Sequence, residues 1–257
     1  MSRNTWLALA AGLSALVTGG ICYPAHEVSA SEEGLVAYWR FDENEGDTIA
    51  DASGNGHDAT MKGEVQRVEG RVGRGVYLNG EKGTGVVVPD ADDLNCTAAI
   101  TVEAWVKPDA LKREAQYDIV NKGSDRGPGY RLFISWNSLR FRSGGGFGED
   151  FWDVGGNLAV TPMTWGRWHH VAATYDGQVY RVYLNGVEIA SGGTLHREKE
   201  NVPLDGATHP ITVNSKPLTI GSFSQGYAYV FRGAIDEVKI YSRAKSAGEV
   251  FQAAREY

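Results

Sequence analysis

Two cysteines in 257 residues leave this chain without the disulfide framework on which small secreted scaffolds depend. Prolines are few as well, 8 against 33 glycines, so neither a polyproline rod nor a collagen repeat is in view. Positive charge is in deficit. The formal net charge is -7 and no basic run reverses it locally, which excludes a general nucleic-acid footprint. Internal repeats, low-complexity tracts and interdomain linkers are missing too. What is there is a globular, turn-rich composition, 42% hydrophobic and 11% aromatic, able to bury a single core.

The first thirty residues stand apart. Arg3 gives a basic start, Trp6 to Cys22 is apolar, and Val28, Ser29 and Ala30 form a small-residue site that fits signal-peptidase cleavage before Ser31. The expectation is a signal peptide over 1–30 and one domain over 31–257, secreted, periplasmic or cell-surface, with no membrane contact once the leader is gone. A retained anchor is the alternative, and the apolar run is short for a bilayer span. Cleavage leaves Cys96 with no partner in the chain, so it is expected as a buried or half-buried thiol.

The rest reads as short strands. Ile100 to Lys107 alternates, with Ile100, Val102, Ala104 and Val106 on one face and Thr101, Glu103, Trp105 and Lys107 on the other. Trp168–Tyr175, Val179–Leu184 and Val187–Ser191 are joined by Asp176-Gly177 and Asn185-Gly186, dipeptides that favour tight hairpin turns. Two strands are expected between Thr60 and Asn79, and others at Asp118–Lys122, Tyr130–Trp136, Ser138–Arg142 and Leu218–Ser222. The stretch 196–215 reads as a long irregular arm, and Ser246 with Glu249 has capping-box spacing for a short terminal helix. The fold class is all-β, an antiparallel two-sheet β-sandwich with a short C-terminal helix.

Two stretches interrupt strands with paired acids. Gly233–Tyr241 (GAIDEVKIY) carries Asp236 and Glu237; Gly34–Glu43 (GLVAYWRFDE) ends in Asp42 and Glu43 and is followed by DASGNGH at Asp51–His57. A carboxylate at a buried strand position calls for a cationic counterpart. Repulsion among Asp42, Glu43, Glu45, Asp47, Asp51 and Asp58 is relieved most simply by a hard cation with oxygen ligands, although the spacing is not that of an EF-hand. A solvated acidic loop is the alternative. The expectation is that the two ends of the chain close the sandwich around a divalent ion.

Taken in order, GLVAYWRFDE, DASGNGHDAT, ITVEAWVKP, WHHVAATYDG, VYLNGVEIA and GAIDEVKIYSRA resemble the laminin-G-like, concanavalin A-like jelly-roll domain of bacterial secreted proteins, from about Gly34 to about Val250. That resemblance implies two antiparallel sheets with first and last strands adjacent, and a structural calcium ion near their junction. Its ligands would fall on Asp42, Asp51, Asn55 and Asp236. It implies less about activity, since the family includes glycan-binding and adhesion modules as well as glucanases and lyases.

Catalysis finds no residue set. A retaining glycosidase needs two carboxylates about 5 Å apart, and Glu149, Asp150 and Asp153 read as an acidic loop without that spacing. His169 and His170 are adjacent on a strand and face opposite sides. Binding has more to work with, because sugars stack apolar C–H faces on aromatic rings and need polar rims. Trp136, Phe147, Phe151 and Trp152 with Arg142, Asp150 and Asp153 form one aromatic loop cluster; Tyr227 and Tyr229 sit in a second. Ordinary packing is the alternative for these, and Trp39, Trp105, Trp165 and Trp168 are expected in the core. The expectation is a noncatalytic, calcium-stabilised module for a glycan or polysaccharide. The alternatives are a cell-surface protein as ligand, in an adhesion or assembly role, and a glycan-degrading enzyme.

Overall fold

Hairpin turns and alternating apolar residues cut the chain into strands closely along the expected lines. The computed structural model describes residues 33–112, 115–123, 128–144, 151–196, 201–203 and 211–257. The strands are β1 (Leu35–Trp39), β2 (Thr48–Ile49), β3 (Ala59–Lys62), β4 (Gln66–Glu69), β5 (Arg74–Asn79), β6 (Gly85–Val88), β7 (Ile100–Pro108), β8 (Gln116–Gly123) and β9 (Gly129–Ser135). There follow β10 (Ser138–Ser143), β11 (Phe151–Asn157), β12 (His169–Tyr175), β13 (Tyr180–Leu184), β14 (Val187–Gly192), β15 (Thr194–His196), β16 (Asn201–Pro203), β17 (Leu218–Ile220), β18 (Arg232–Tyr241) and the helix α1 (Ala247–Ala253).

Among the described residues these strands make two antiparallel sheets. One runs β14-β13-β12-β7-β18-β5-β4, with β1 also paired to β18; the other runs β16-β15-β11-β10-β9-β8-β17-β6-β3-β2. First and last strands are therefore neighbours, Trp39 opposite Val238. The hairpins at Asp176-Gly177 and Asn185-Gly186 join β12, β13 and β14 as a meander. Ser246 caps α1 in a capping box: its hydroxyl accepts the Glu249 N–H at 3.3 Å, and Glu249 Oε2 accepts the Ser246 N–H at 2.7 Å. No helix among the described residues is long and apolar enough to cross a membrane.

The core lies between the sheets and takes Ile100, Val102, Ala104 and Val106 from β7, as alternation requires. The opposite face of β7 is also buried, at Thr101, Glu103 and Trp105. Lys245 Nζ reaches Glu103 Oε1 at 2.8 Å, Tyr241 OH donates to the same oxygen at 3.2 Å, and the Arg71 guanidinium lies 4.5 Å from the Trp105 ring centre. Burial raises the Glu103 carboxyl, but Lys245, His170 and Lys239 outweigh it and hold the group below the usual carboxylate range.

Three expectations are corrected. The segment up to Asn79 holds β3, β4 and β5, one strand more than expected. Phe151 to Asp153 belong to β11 and not to a loop, because Trp152 and Val154 alternate into the core. The stretch expected as an irregular arm over 196–215 begins within a short hairpin, β15–β16, at the sheet edge.

Candidate functional site

Asp236 sits where β18 breaks its register, and Glu237 beside it has φ 52°. That bulge turns both acids to covered positions. Asp236 Oδ2 accepts the backbone N–H of Arg71 at 2.7 Å and of Val72 at 3.0 Å, and Oδ1 accepts the Glu237 N–H at 2.8 Å. Burial pushes the Asp236 carboxyl up to about 9, with Glu237 adding to the rise and the N–H donors opposing it. Glu237 Oε2 accepts the Tyr38 hydroxyl at 2.5 Å, so the two neighbours serve different partners.

Asp42 holds the same β4–β5 turn from the other side. Its Oδ1 accepts the Arg74 N–H at 2.9 Å, and its Oδ2 pairs with Arg40 at 3.2 Å. Asp51 lies further off, against β1. Its two oxygens accept four hydrogen bonds, from the N–H groups of Tyr38, Ser53 and His57 and from the Ser53 hydroxyl, at 2.8 to 3.0 Å. That fills the four acceptor positions of a carboxylate. Partial burial raises the Asp51 carboxyl, but those donors outweigh it and hold the group below its ordinary value. Asn55 turns its amide donors to the carbonyls of Leu35 and Val36.

These four residues do not fit the calcium ion that the resemblance implies. The carboxylate oxygens of Asp42, Asp51 and Asp236 face hydrogen-bond donors and the Arg40 guanidinium, whose positive ends would oppose a cation, and Asn55 spends its amide N–H groups on backbone carbonyls. Among the described residues no group of three or more His, Cys, Asp or Glu is placed to hold a metal ion. Asp42 and Asp236 cap one turn, and Asp51 with Asn55 ties the following loop to β1.

The aromatic candidates divide differently from expectation. Phe147 and Asp150 lie outside the described residues. Trp152 is buried in the core, where no ligand can reach its face from solvent. Arg142 and Phe151 are on the outer face of the ten-stranded sheet, the Arg142 guanidinium 4.3 Å from the Phe151 ring centre and 5.2 Å from that of Phe133. Arg131, which the sequence reading passed over, continues the row. Its guanidinium is 4.1 Å from Phe133, 5.4 Å from Tyr229 and 5.7 Å from Phe223, and it pairs with Asp118. This ladder joins Phe151 and Tyr229, which were expected in separate loops. The alternation of Arg131, Phe133 and Ser135 against Tyr130, Leu132 and Ile134 was the signal for it.

Trp136 stands at the other end of β10. With Asn137 it forms the β9–β10 turn, φ 51° and 58°, a conformation that usually selects Asn-Gly. Five strand steps carry the chain from Ser138 to Ser143, which pairs with Trp152, so the turn that holds Trp136 is at least roughly 17 Å from the Phe151 end. Trp136 is 65% exposed. Along the outer face from this turn lie Arg140, half-buried, and Gly155 and Asn157, exposed. Tyr227 is 72% exposed, with Lys82 Nζ 5.7 Å from its ring centre. Trp165 is corrected from core to surface at 39% exposure, and Trp168 is half-buried; Trp39 and Trp105 are buried as expected.

Groups that would have to react are held. Arg140 Nε and Nη2 reach the two Asp153 oxygens at 3.1 and 2.9 Å, and Arg142 Nη2 reaches Oδ2 at 2.9 Å. His169 bonds Thr164 and Asn185, whereas His170 turns to Glu103 on the opposite face, and burial pushes its ring down to about 4. Burial pushes the Cys96 thiol up to about 12, which leaves it a packing group.

A sequence model for the concanavalin A-like lectin/glucanases superfamily matches residues 79–251. Human pappalysin-1 is 31% identical over 85 residues, which are 33% of this chain and 5% of that protein. The binding domain of paraclostridial mosquitocidal protein 1 superposes with a TM-score of 0.67 at 22% identity, covering 87% of this chain and 52% of that one. Domain 4 of AbnA, a GH43 extracellular arabinanase from Geobacillus stearothermophilus solved with arabinotriose, superposes with a TM-score of 0.55 at 23% identity, covering 86% of this chain and 98% of that domain. The chain thus spans about half of the toxin binding domain and a small fraction of pappalysin-1.

Proposed function

The chain belongs to the concanavalin A-like lectin/glucanases superfamily, and on that premise we propose that it is a noncatalytic carbohydrate-binding module of a secreted protein. The sugar lies on the outer face of the ten-stranded sheet, across Arg140, Gly155 and Asn157, with Trp136 as the stacking platform. Trp136 carries this reading. A left-handed backbone costs a bulky residue roughly 1 kcal/mol or more, and at 65% exposure the ring gains little from burial in return. Strain with no packing gain points to a ligand contact. Gly155 lets the Arg140 side chain lie flat across β11, where a Cβ would come within 2.9 Å of Arg140 Cγ, and the Arg140 guanidinium and the Asn157 amide supply donors for hydroxyls.

Support comes also from the arabinotriose complex of AbnA domain 4, which this fold covers nearly end to end. The leader over 1–30, outside the described residues, fits export. The test is a glycan array with the wild type and Trp136→Ala, alongside melting curves. Binding that disappears in a variant of unchanged melting temperature supports the reading; an array blank for the wild type removes it, and a protein ligand becomes the better explanation.

A further inference from the structure

One end of the sandwich leaves apolar groups in water on a fixed backbone. The β9–β10 turn, the loop before β8 and the loop after β11 meet there around a cleft of about 230 Å3. Among the described residues it is lined by Leu111, Lys112, Ile134, Asn137, Ala159 and Trp165. Trp165 is 39% exposed and neighbouring Val160 is 80% exposed. Their loop is pinned: the Gly166 N–H donates to the Pro108 carbonyl at 2.7 Å, the Thr164 N–H to His169 Nε2 at 3.0 Å, and Met163 is buried in the core. The turn is pinned as well, since the Leu158 N–H donates to the Asn137 carbonyl at 2.9 Å. On the third side the Lys112 N–H donates to the Tyr117 hydroxyl at 3.0 Å.

Exposed apolar residues scattered singly need no explanation, but a group of them around a concavity does. Here the ordering cost is already met by main-chain hydrogen bonds, which is the condition under which a surface binds without further loss of entropy. The cleft is smaller than the roughly 300 to 1,000 Å3 of sites that enclose a whole drug-sized ligand, so it has room for one ring-sized group. A tryptophan face with an ammonium and an amide at the rim suits a sugar ring, with its apolar C–H face and its hydroxyls. A protein partner would need a far larger surface, about 800 Å2 on each side.

We propose that this cleft is a sugar subsite contiguous with Trp136 through Asn137. The module then takes a linear polysaccharide lengthwise around the β9–β10 turn, several sugars at a time, and not a single terminal sugar. The inference rests on the carbohydrate reading above, and its test separates the two. Calorimetric titrations would use monosaccharide-to-hexasaccharide series from linear arabinan, xylan, cellulose and galactan, against the wild type, Trp136→Ala and Trp165→Ala. Affinity is expected to climb with length over the first few sugars of the recognised series. Trp165→Ala should lose about tenfold on the hexasaccharide, leave the shortest binding sugar unchanged, and melt like the wild type. Equal affinity at all lengths, or a Trp165→Ala variant that matches the wild type on the hexasaccharide while Trp136→Ala has lost binding, overturns the subsite and leaves the carbohydrate reading standing. No binding of any series by folded wild-type protein removes both.

Discussion

Asp42 and Asp236 come from opposite ends of the domain and hold the same turn. Asp42 Oδ1 takes the N–H of Arg74, while Asp236 Oδ2 takes those of Arg71 and Val72. Glycine lets them approach. A Cβ on Gly73, at φ +51°, would lie 2.1 Å from Asp42 Oδ1, and one on Gly70 would lie 2.5 Å from Asp236 Oδ2. Asp236→Ala leaves donors without acceptors at a buried site, a loss of about 3 kcal/mol or more. Asp42→Ala, at a side chain 36% exposed, costs about 1 kcal/mol. Denaturant unfolding gives both values. The same curves with calcium or chelator should superimpose; a calcium-dependent rise in melting temperature that Asp236→Ala abolishes would restore the ion and remove the cap.

The same carboxyl sets a pH dependence. Its pKa rises on folding from 3.8 to about 9. Between those values the native state holds a proton that the unfolded chain has released, so stability from this group is full below pH 3.8 and is lost as pH rises through about 9. The slope is at most about 1.4 kcal/mol per pH unit. Asp236→Asn does not titrate, so its stability should fall less than the wild type's between pH 5 and pH 9. Parallel pH profiles for the two proteins would show that Asp236 is ionised throughout.

Under α1, Lys245 and Glu103 are both buried, at 2.8 Å. Lys245→Ala leaves the buried Glu103 carboxylate with Lys239 as its cation, the His170 ring 3.8 Å away being pushed down to about 4 and so neutral near pH 7, and the loss should be about 3 to 5 kcal/mol. Lys245→Met with Glu103→Leu removes both charges and should recover most of it. A single variant as stable as the wild type would mean that water already reaches Glu103.

The sandwich was legible because its turns carry their own chemistry. Asp176-Gly177 and Asn185-Gly186 specify two hairpins, and alternation in Ile100–Lys107 specifies a core face. What alternation cannot report is a second cover. Thr101 and Glu103, on the face of β7 away from the core, are buried because α1 and the residues after β18 return over them. Nor can a period of two anticipate a bulge. Strict alternation would point Asp236 and Glu237 to opposite sides of the strand, and φ 52° at Glu237 places both under cover with separate partners. The acidic loop invited a cation because sequence shows carboxylates but not the N–H groups aimed at them. The aromatic candidates were visible as residues; their grouping was not, since Arg131 and Phe133 link Phe151 to Tyr229 only once β9 and β10 are in register.

Cys96 is buried beside the Asp93 carbonyl, 3.5 Å from its sulfur. With the thiol pushed up to about 12, the thiolate fraction at pH 8 is negligible. A thiol reagent should therefore leave the native protein unmodified at pH 8 and label Cys96 at once in denaturant. Rapid native labelling would show that this edge of the core opens.

Asp153 is the acid on the outer face best placed to be mistaken for a catalyst, since it lies on β11 beside the proposed sugar strip. A general acid must carry a proton to the glycosidic oxygen, and a nucleophile must present a free lone pair to the anomeric carbon. Asp153 does neither while Arg140 and Arg142 hold both its oxygens. It fixes the Arg140 guanidinium in place, the group to which the proposed sugar strip assigns hydroxyl recognition. Asp153→Ala should cost about 3 to 5 kcal/mol, because the guanidiniums lose the carboxylate that compensates them, whereas Asp153→Asn should retain part of the network and keep a weakened sugar affinity. Neither the wild type nor the variants should release reducing ends or unsaturated sugars from arabinan, xylan, cellulose or galactan. Sugar release by the wild type that Asp153→Asn abolishes would make the site an enzyme's and overturn the noncatalytic reading.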